Sequence, residues 1–94
     1  MTSISWALRA QQGFDQLTIY YEAIDPDVAE RIGRRILDAT MMLSGLPLAR
    51  PIATGGDRRK WRVSGTPYVI YYRPSGDHIR ILRVLHAAQD NMST

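Results

Sequence analysis

Between Arg58 and Asp90 the chain reads RRKWRVSGTPYVIYYRPSGDHIRILRVLHAAQD, three β-forming runs divided by two clusters of turn residues. The runs are Lys60 to Val63, Tyr68 to Arg73 and Ile79 to His86, separated by Ser64-Gly65-Thr66-Pro67 and Pro74-Ser75-Gly76-Asp77. Short connections between β-branched and aromatic runs predict an antiparallel meander. The meander is loaded with arginine, which suits gripping an anionic partner better than chemistry that needs carboxylates or thiols.

The segment ahead of it reads as a helical hairpin. Ala10, Phe14, Leu17, Tyr21 and Ile24 recur at spacings of three and four and predict one face of a helix from about Leu8 to Ala23. Asp25 can cap a second helix, with Pro26 in its first turn where a missing N–H does no harm. Ala29, Ile32, Ile36, Ala39 and Leu43 continue the helical period until Ser44-Gly45-Leu46-Pro47 ends it. So short a turn predicts antiparallel packing of the two helices. Thr2 to Trp6 predicts a short strand at the sheet edge, with Ile4 and Trp6 on one side and Ser3 and Ser5 on the other. Arg50 to Asp57, with Pro51 and Gly55-Gly56, predicts a mobile connection. The order is β-α-α-β-β-β, an α+β fold with a helical hairpin laid on a small antiparallel sheet.

With 94 residues, 45% of them hydrophobic, the chain is expected to form one domain, residues 1–94. It contains no cysteine, which excludes disulfides, thiolate metal sites and cysteine nucleophiles. No signal-like or membrane-spanning segment is readable, so a soluble, cytoplasmic protein is expected. Two isolated histidines lack metal-ligand spacing and Gly55-Gly56 lacks the context of a phosphate loop, so neither metal nor cofactor is expected.

Charge is split along the chain. Residues 1–49 carry a net −2, residues 50–86 a net +6, and Asp90 brings the total to +3. Such asymmetry is expected of a surface that meets nucleic acid or an acidic protein segment. Arg58, Arg59, Lys60, Arg62 and Arg73 are the candidate binding residues; the alternative is a solvated face. Arg62 should point away from Trp61 and Val63. Tyr68, Tyr71 and Tyr72 suit sheet packing, His86 a packed strand end, and His78 an exposed turn. Arg83, read between Ile81 and Leu85 on one face, should reach solvent or an acid such as Asp90.

An ordered set of residues carries a resemblance: Trp6, Ala10, Phe14, Leu17 and Tyr20; Pro26 and Ala29; Leu43 and Pro47; Arg62; Pro67-Tyr68-Val69-Ile70-Tyr71-Tyr72-Arg73; and Ile79 through Leu85-His86 to Asp90. Over nearly the whole chain it resembles the RelE/ParE superfamily of type II toxin–antitoxin toxins, which implies the same element order, growth arrest and plasmid stabilisation. Two departures stand out, Gly13 where members often have Asp and Ala49-Arg50 where a Gly-Arg pair is usual. In a helix interior Gly13 is expected to cost about 1 kcal/mol relative to alanine. The chain ends soon after Asp90, and no long C-terminal helix is expected.

The superfamily implies two activities. RelE-like members cut messenger RNA on the ribosome, and here Arg62, Arg73, Arg83 and His86 are the residues that could serve, with histidine titrating near neutrality. ParE-like members inhibit DNA gyrase. An arginine commonly follows the tyrosine that opens the second meander strand in the nucleases, whereas Val69 follows Tyr68 here, and Ala87-Ala88-Gln89-Asp90 is closer to ParE-like endings. The resemblance therefore favours a gyrase inhibitor, with no catalytic residues, neutralised by a co-encoded antitoxin in a hetero-oligomer. A non-toxic nucleic-acid-binding module also fits the charge split but lacks a recognition helix or stacking motif.

Overall fold

The computed structural model describes residues 3–45, 58–75 and 77–90. Thr2, Leu46-Pro47, the Ala49-Arg50 pair, the Arg50–Asp57 connection and Gly76 lie outside them. Along the chain come β1 (Ser3–Trp6), α1 (Leu8–Ile24), α2 (Pro26–Gly45), β2 (Arg59–Arg62), β3 (Tyr68–Ser75), β4 (His78–His86) and a 3₁₀ turn at Ala87–Gln89.

The hairpin forms as its periodicity requires. Ala29, Ile32, Ile36, Ala39 and Leu43 are all buried on the inner face of α2. Each large aliphatic among them contributes about 1.5–3 kcal/mol by burial. Asp25 Oδ1 accepts the Asp27 N–H at 3.0 Å, satisfying one of the donors the helix start leaves open. On α1, Ala10 and Leu17 are buried while Phe14 and Tyr21 pack half-buried against the same core. Ile24, expected on that face, is 64% exposed, because the helix ends there and the chain turns at Asp25.

The sheet order is β1-β4-β3-β2. The meander β2-β3-β4 is antiparallel as expected, but β1 pairs parallel to β4, so the sheet is mixed rather than wholly antiparallel. A meander fixes the direction of β4 only relative to β2. Nothing in the sequence signals which way the chain re-enters the sheet after α2, and the direction it takes makes β1 and β4 parallel. Further, β2 begins one residue earlier than the Lys60 start expected, and β3 runs through Pro74 to Ser75. A proline is tolerated there because β2 pairs only with Val69–Tyr72, leaving that end of β3 without a β2 partner.

A bulge changes the phase of β4. Tyr72 faces Ile81 and Tyr71 faces Arg83, so Leu82 is the extra residue. Ile79 and Ile81 point to the helices before it, and Val84 does so after it. Arg83 therefore shares a side of the sheet with Leu85 and not with Ile81, contrary to simple alternation. The helix-facing core gathers Tyr68, Ile70, Tyr72, Ile79, Ile81 and Val84 against both helices, with Trp61 packed at its margin.

Candidate functional site

Alternation about that core assigns the charges to opposite faces. The helix layer holds Asp15, Glu22, Asp25, Asp27, Glu30 and Asp38 against four arginines. The helix-free face of the sheet receives Lys60 and Arg62 from β2, Tyr71 and Arg73 from β3, and Arg80 and Arg83 from β4. The charge split along the chain thus becomes a split between two layers.

At one end of this face the chain closes on itself. The Tyr71 hydroxyl donates to Asp90 Oδ1 at 2.5 Å, and Lys60 Nζ lies 2.6 Å from Asp90 Oδ2. Asp90's side chain is only 6% exposed and that of Lys60 35%. The hydrogen bond to Asp90 holds the Lys60 ammonium above its usual range. Burial first, and then the bond to Asp90, push the Tyr71 hydroxyl up as well. The Arg58 guanidinium lies 5.3 Å from the Tyr71 ring centroid and Lys60 Nζ 5.9 Å, both within cation–π range. Lys60 and Arg58 are thus built into the sheet end. Arg62 is exposed and points away from Trp61 and Val63, as expected; Arg59 is half-buried and Arg73 exposed.

Of the four residues considered for RNA cleavage, Arg83 and His86 line one groove, while Arg62 and Arg73 stand apart from it and from each other. Arg62 pairs with Val69, four residues from Arg73 along β3, or roughly 13 Å at the usual strand rise. His86 lies on the helix side, its ring in edge contact with buried Tyr68 at 5.4 Å and its Nδ1 accepting the Ala88 N–H at 3.0 Å. It is a half-buried strand-end residue, as the sequence suggested. Tyr68, Tyr71 and Tyr72 are all buried. Burial, then its neighbour Tyr21, pushes the Tyr68 hydroxyl well above the normal tyrosine range.

Between α1 and the far end of β4 lies a groove of about 510 Å³. Arg9 and Arg83 give it cationic character, Leu17 and Tyr68 an apolar floor with exposed Tyr20 at its border, and among the described residues no acid lines it. Gly13 forms part of its wall, where α1 approaches the backbone of β4.

Sequence reasoning missed a second cluster. His78, expected to be exposed, is half-buried between two hydroxyls: Ser3 Oγ lies 2.7 Å from Nδ1 and Ser5 Oγ 2.8 Å from Nε2. Arg80 Nη1 donates to Ser5 Oγ at 3.0 Å. Only the parallel register of β1 on β4 creates these contacts, and no local motif announces it. Among the described residues no group of three or more His, Cys, Asp or Glu could hold a metal ion, and no helix is long and apolar enough to cross a membrane.

Comparison with known proteins gives one family. Its sequence model, described as ParE toxin of type II toxin-antitoxin system, parDE, matches residues 4–91. The Sinorhizobium fredii (strain NGR234) protein named "Putative toxin Y4kP" is 37% identical over 86 residues, covering 92% of this chain and 88% of its own. In structure, a chain of the chromosomal ParDE toxin–antitoxin system of P. aeruginosa superposes with a TM-score of 0.79 at 20% identity, over 92% of this chain and 96% of that one. The isolated RelE toxin of E. coli gives 0.62 at 14% identity, over 98% and 90%. At those identities the two structures speak for the fold.

Proposed function

Because the chain belongs to the ParE toxin family of type II toxin–antitoxin systems, we propose that it arrests bacterial growth from the cytoplasm by binding DNA gyrase and blocking it, and that a co-encoded antitoxin neutralises it. The observation that carries the choice of target is Val69. Where the RelE-like nucleases commonly place an arginine, this chain has a valine, 2% exposed, between Arg62 and Leu85 in the ladder. Acid–base cleavage of RNA needs a proton acceptor and a donor on opposite sides of one phosphate. His86 stands on the opposite face of the sheet from Arg62 and Arg73, its Nδ1 already accepting a backbone N–H.

The antitoxin contacts the groove between α1 and β4. Its cationic rim and apolar floor complement a disordered segment of alternating acidic and apolar residues that folds on binding. The β2 edge of the sheet, with Arg58, Arg59, Lys60 and Arg62, adds contacts to antitoxin or target; Arg73, the fifth of the expected set, lies on the neighbouring strand, directly after the Tyr72 that faces Arg59. Induced in cells, the toxin should leave plasmids relaxed and messenger RNA intact. Codon-specific RNA cleavage with normal plasmid supercoiling would instead favour the ribosome as target.

A further inference from the structure

The block around His78 is more ordered than a solvated surface requires. Across three strands two rows lie side by side, Ser3–His78–Ser75 and Ser5–Arg80–Arg73, on the helix-free face. Neighbouring strands stand about 4.8 Å apart and the rows about 6.7 Å, so six side chains cover a patch roughly 10 by 7 Å. It offers two guanidinium groups, an imidazole and three hydroxyls, and none of the six is acidic. The nearest acid in sequence is Asp77, in the turn before β4. The two serines and Arg80 form one hydrogen-bonded set with the imidazole, which fixes the donors in place. Arg73 and Arg80 face each other directly. A single oxyanion above the pair can accept from both guanidinium groups.

The cations continue beyond the block. From Arg73, the same-face positions along the ladder bring Arg62 roughly 13 Å further on, past Lys60, whose charge Asp90 already meets. A nucleic-acid strand presents a phosphate about every 3.4 Å of axis, so a backbone laid along the sheet meets several of these groups, whereas a mononucleotide meets one set. The acids of the helix layer turn a polyanion towards the sheet.

We propose that the helix-free face of the sheet binds a nucleic-acid phosphodiester backbone, with Arg80 and Arg73 as its phosphate clamp and Ser3, Ser5 and His78 holding Arg80 in position. Contact is to phosphate and so independent of base sequence. It goes beyond gyrase inhibition and is measured without gyrase.

The test is fluorescence anisotropy of a labelled 20-base-pair duplex with the purified chain, between 50 and 200 mM salt. Arg73→Gln with Arg80→Gln is compared with Arg31→Gln and Arg34→Gln, which remove the same charge from α2. Two lost phosphate contacts lower the slope of log K against log salt by about 1.8, so the first pair's deficit shrinks roughly tenfold over that range. The α2 pair should match wild type, and Arg73→Lys with Arg80→Lys should keep the wild-type slope. Equal losses in both glutamine pairs, a lysine pair as impaired as the first, or no duplex binding at 50 mM would overturn the proposal. So would displacement of the duplex by poly-glutamate of equal charge as readily as by unlabelled DNA, since the face would then bind acidic protein. A wild-type chain that blocks gyrase without binding duplex would overturn this inference alone.

Discussion

Gly13 rests on the backbone of β4: a Cβ added to it would stand 2.6 Å from the carbonyl oxygen of Val84. Real Cβ atoms do not come so close, and the obstacle is main chain, which cannot rotate away. Helix propensity alone favours alanine by about 1 kcal/mol, but overpacking of this kind costs about 1–3 kcal/mol. Gly13→Ala should therefore destabilise the fold, lowering the thermal midpoint by several degrees. Gly33 provides the contrast, because a Cβ there meets Phe14 at an ordinary 3.6 Å. Gly33→Ala should be neutral or stabilising by up to about 1 kcal/mol. Equal responses of the two variants to urea would contradict the contact between α1 and β4.

The closure of the sheet end by Asp90 should be cooperative. Asp90→Asn removes the charge that Lys60 and the Tyr71 hydroxyl both address, and should cost about 1–3 kcal/mol, less than a fully buried pair because Lys60 is partly solvated. Tyr71→Phe leaves one carboxylate oxygen short of a donor. In a double-mutant cycle the two changes should couple by at least about 0.5 kcal/mol. Strict additivity would mean that the two groups do not interact in solution.

The same cluster sets a dependence on pH. Lys60 is raised from its usual 10.5 and Tyr71 from its usual 10.0, so the folded chain holds both protons more tightly than the unfolded chain. Their contribution is complete below about pH 10 and is lost as pH rises through the folded values. Urea midpoints should stay level from pH 8 to about 9.5 and fall beyond it, with a smaller fall in Asp90→Asn. Stability that rises above pH 10 would contradict these shifts.

Antitoxin capture should depend on the α1–β4 groove. Arg9 and Tyr20 are exposed on α1 and border it. Arg9→Glu with Tyr20→Ser should weaken antitoxin binding at least tenfold, while stability changes by less than about 1 kcal/mol. Unchanged affinity measured by calorimetry would move the antitoxin to another surface.

How far the sequence discloses all this depends on the range over which each feature is decided. The α2 face from Ala29 to Leu43 and the Asp25–Pro26 start are local, and period and capping chemistry suffice to read them. The bulge at Leu82 has no such signature, since Ile79, Ile81, Leu82 and Val84 are all apolar and either alternation fits. That one residue decides which side of the sheet Arg83 joins. The bonds of His78 to Ser3 and Ser5 span more than seventy residues and exist only in the parallel register of β1. Lys60 and Asp90 likewise meet only once the meander and the 3₁₀ turn are in place. Arg58 and Lys60 could be picked out by charge density, but not their stacking on Tyr71, because a buried tyrosine on the helix-free face looks in sequence like any other strand aromatic.

Gyrase itself provides the most direct test. Purified toxin titrated into a gyrase supercoiling reaction on relaxed plasmid should abolish supercoiling at near-stoichiometric amounts, and equimolar antitoxin should restore it. Full supercoiling at a large excess of folded toxin, together with cleavage of messenger RNA on purified ribosomes by the same preparation, would contradict a gyrase inhibitor.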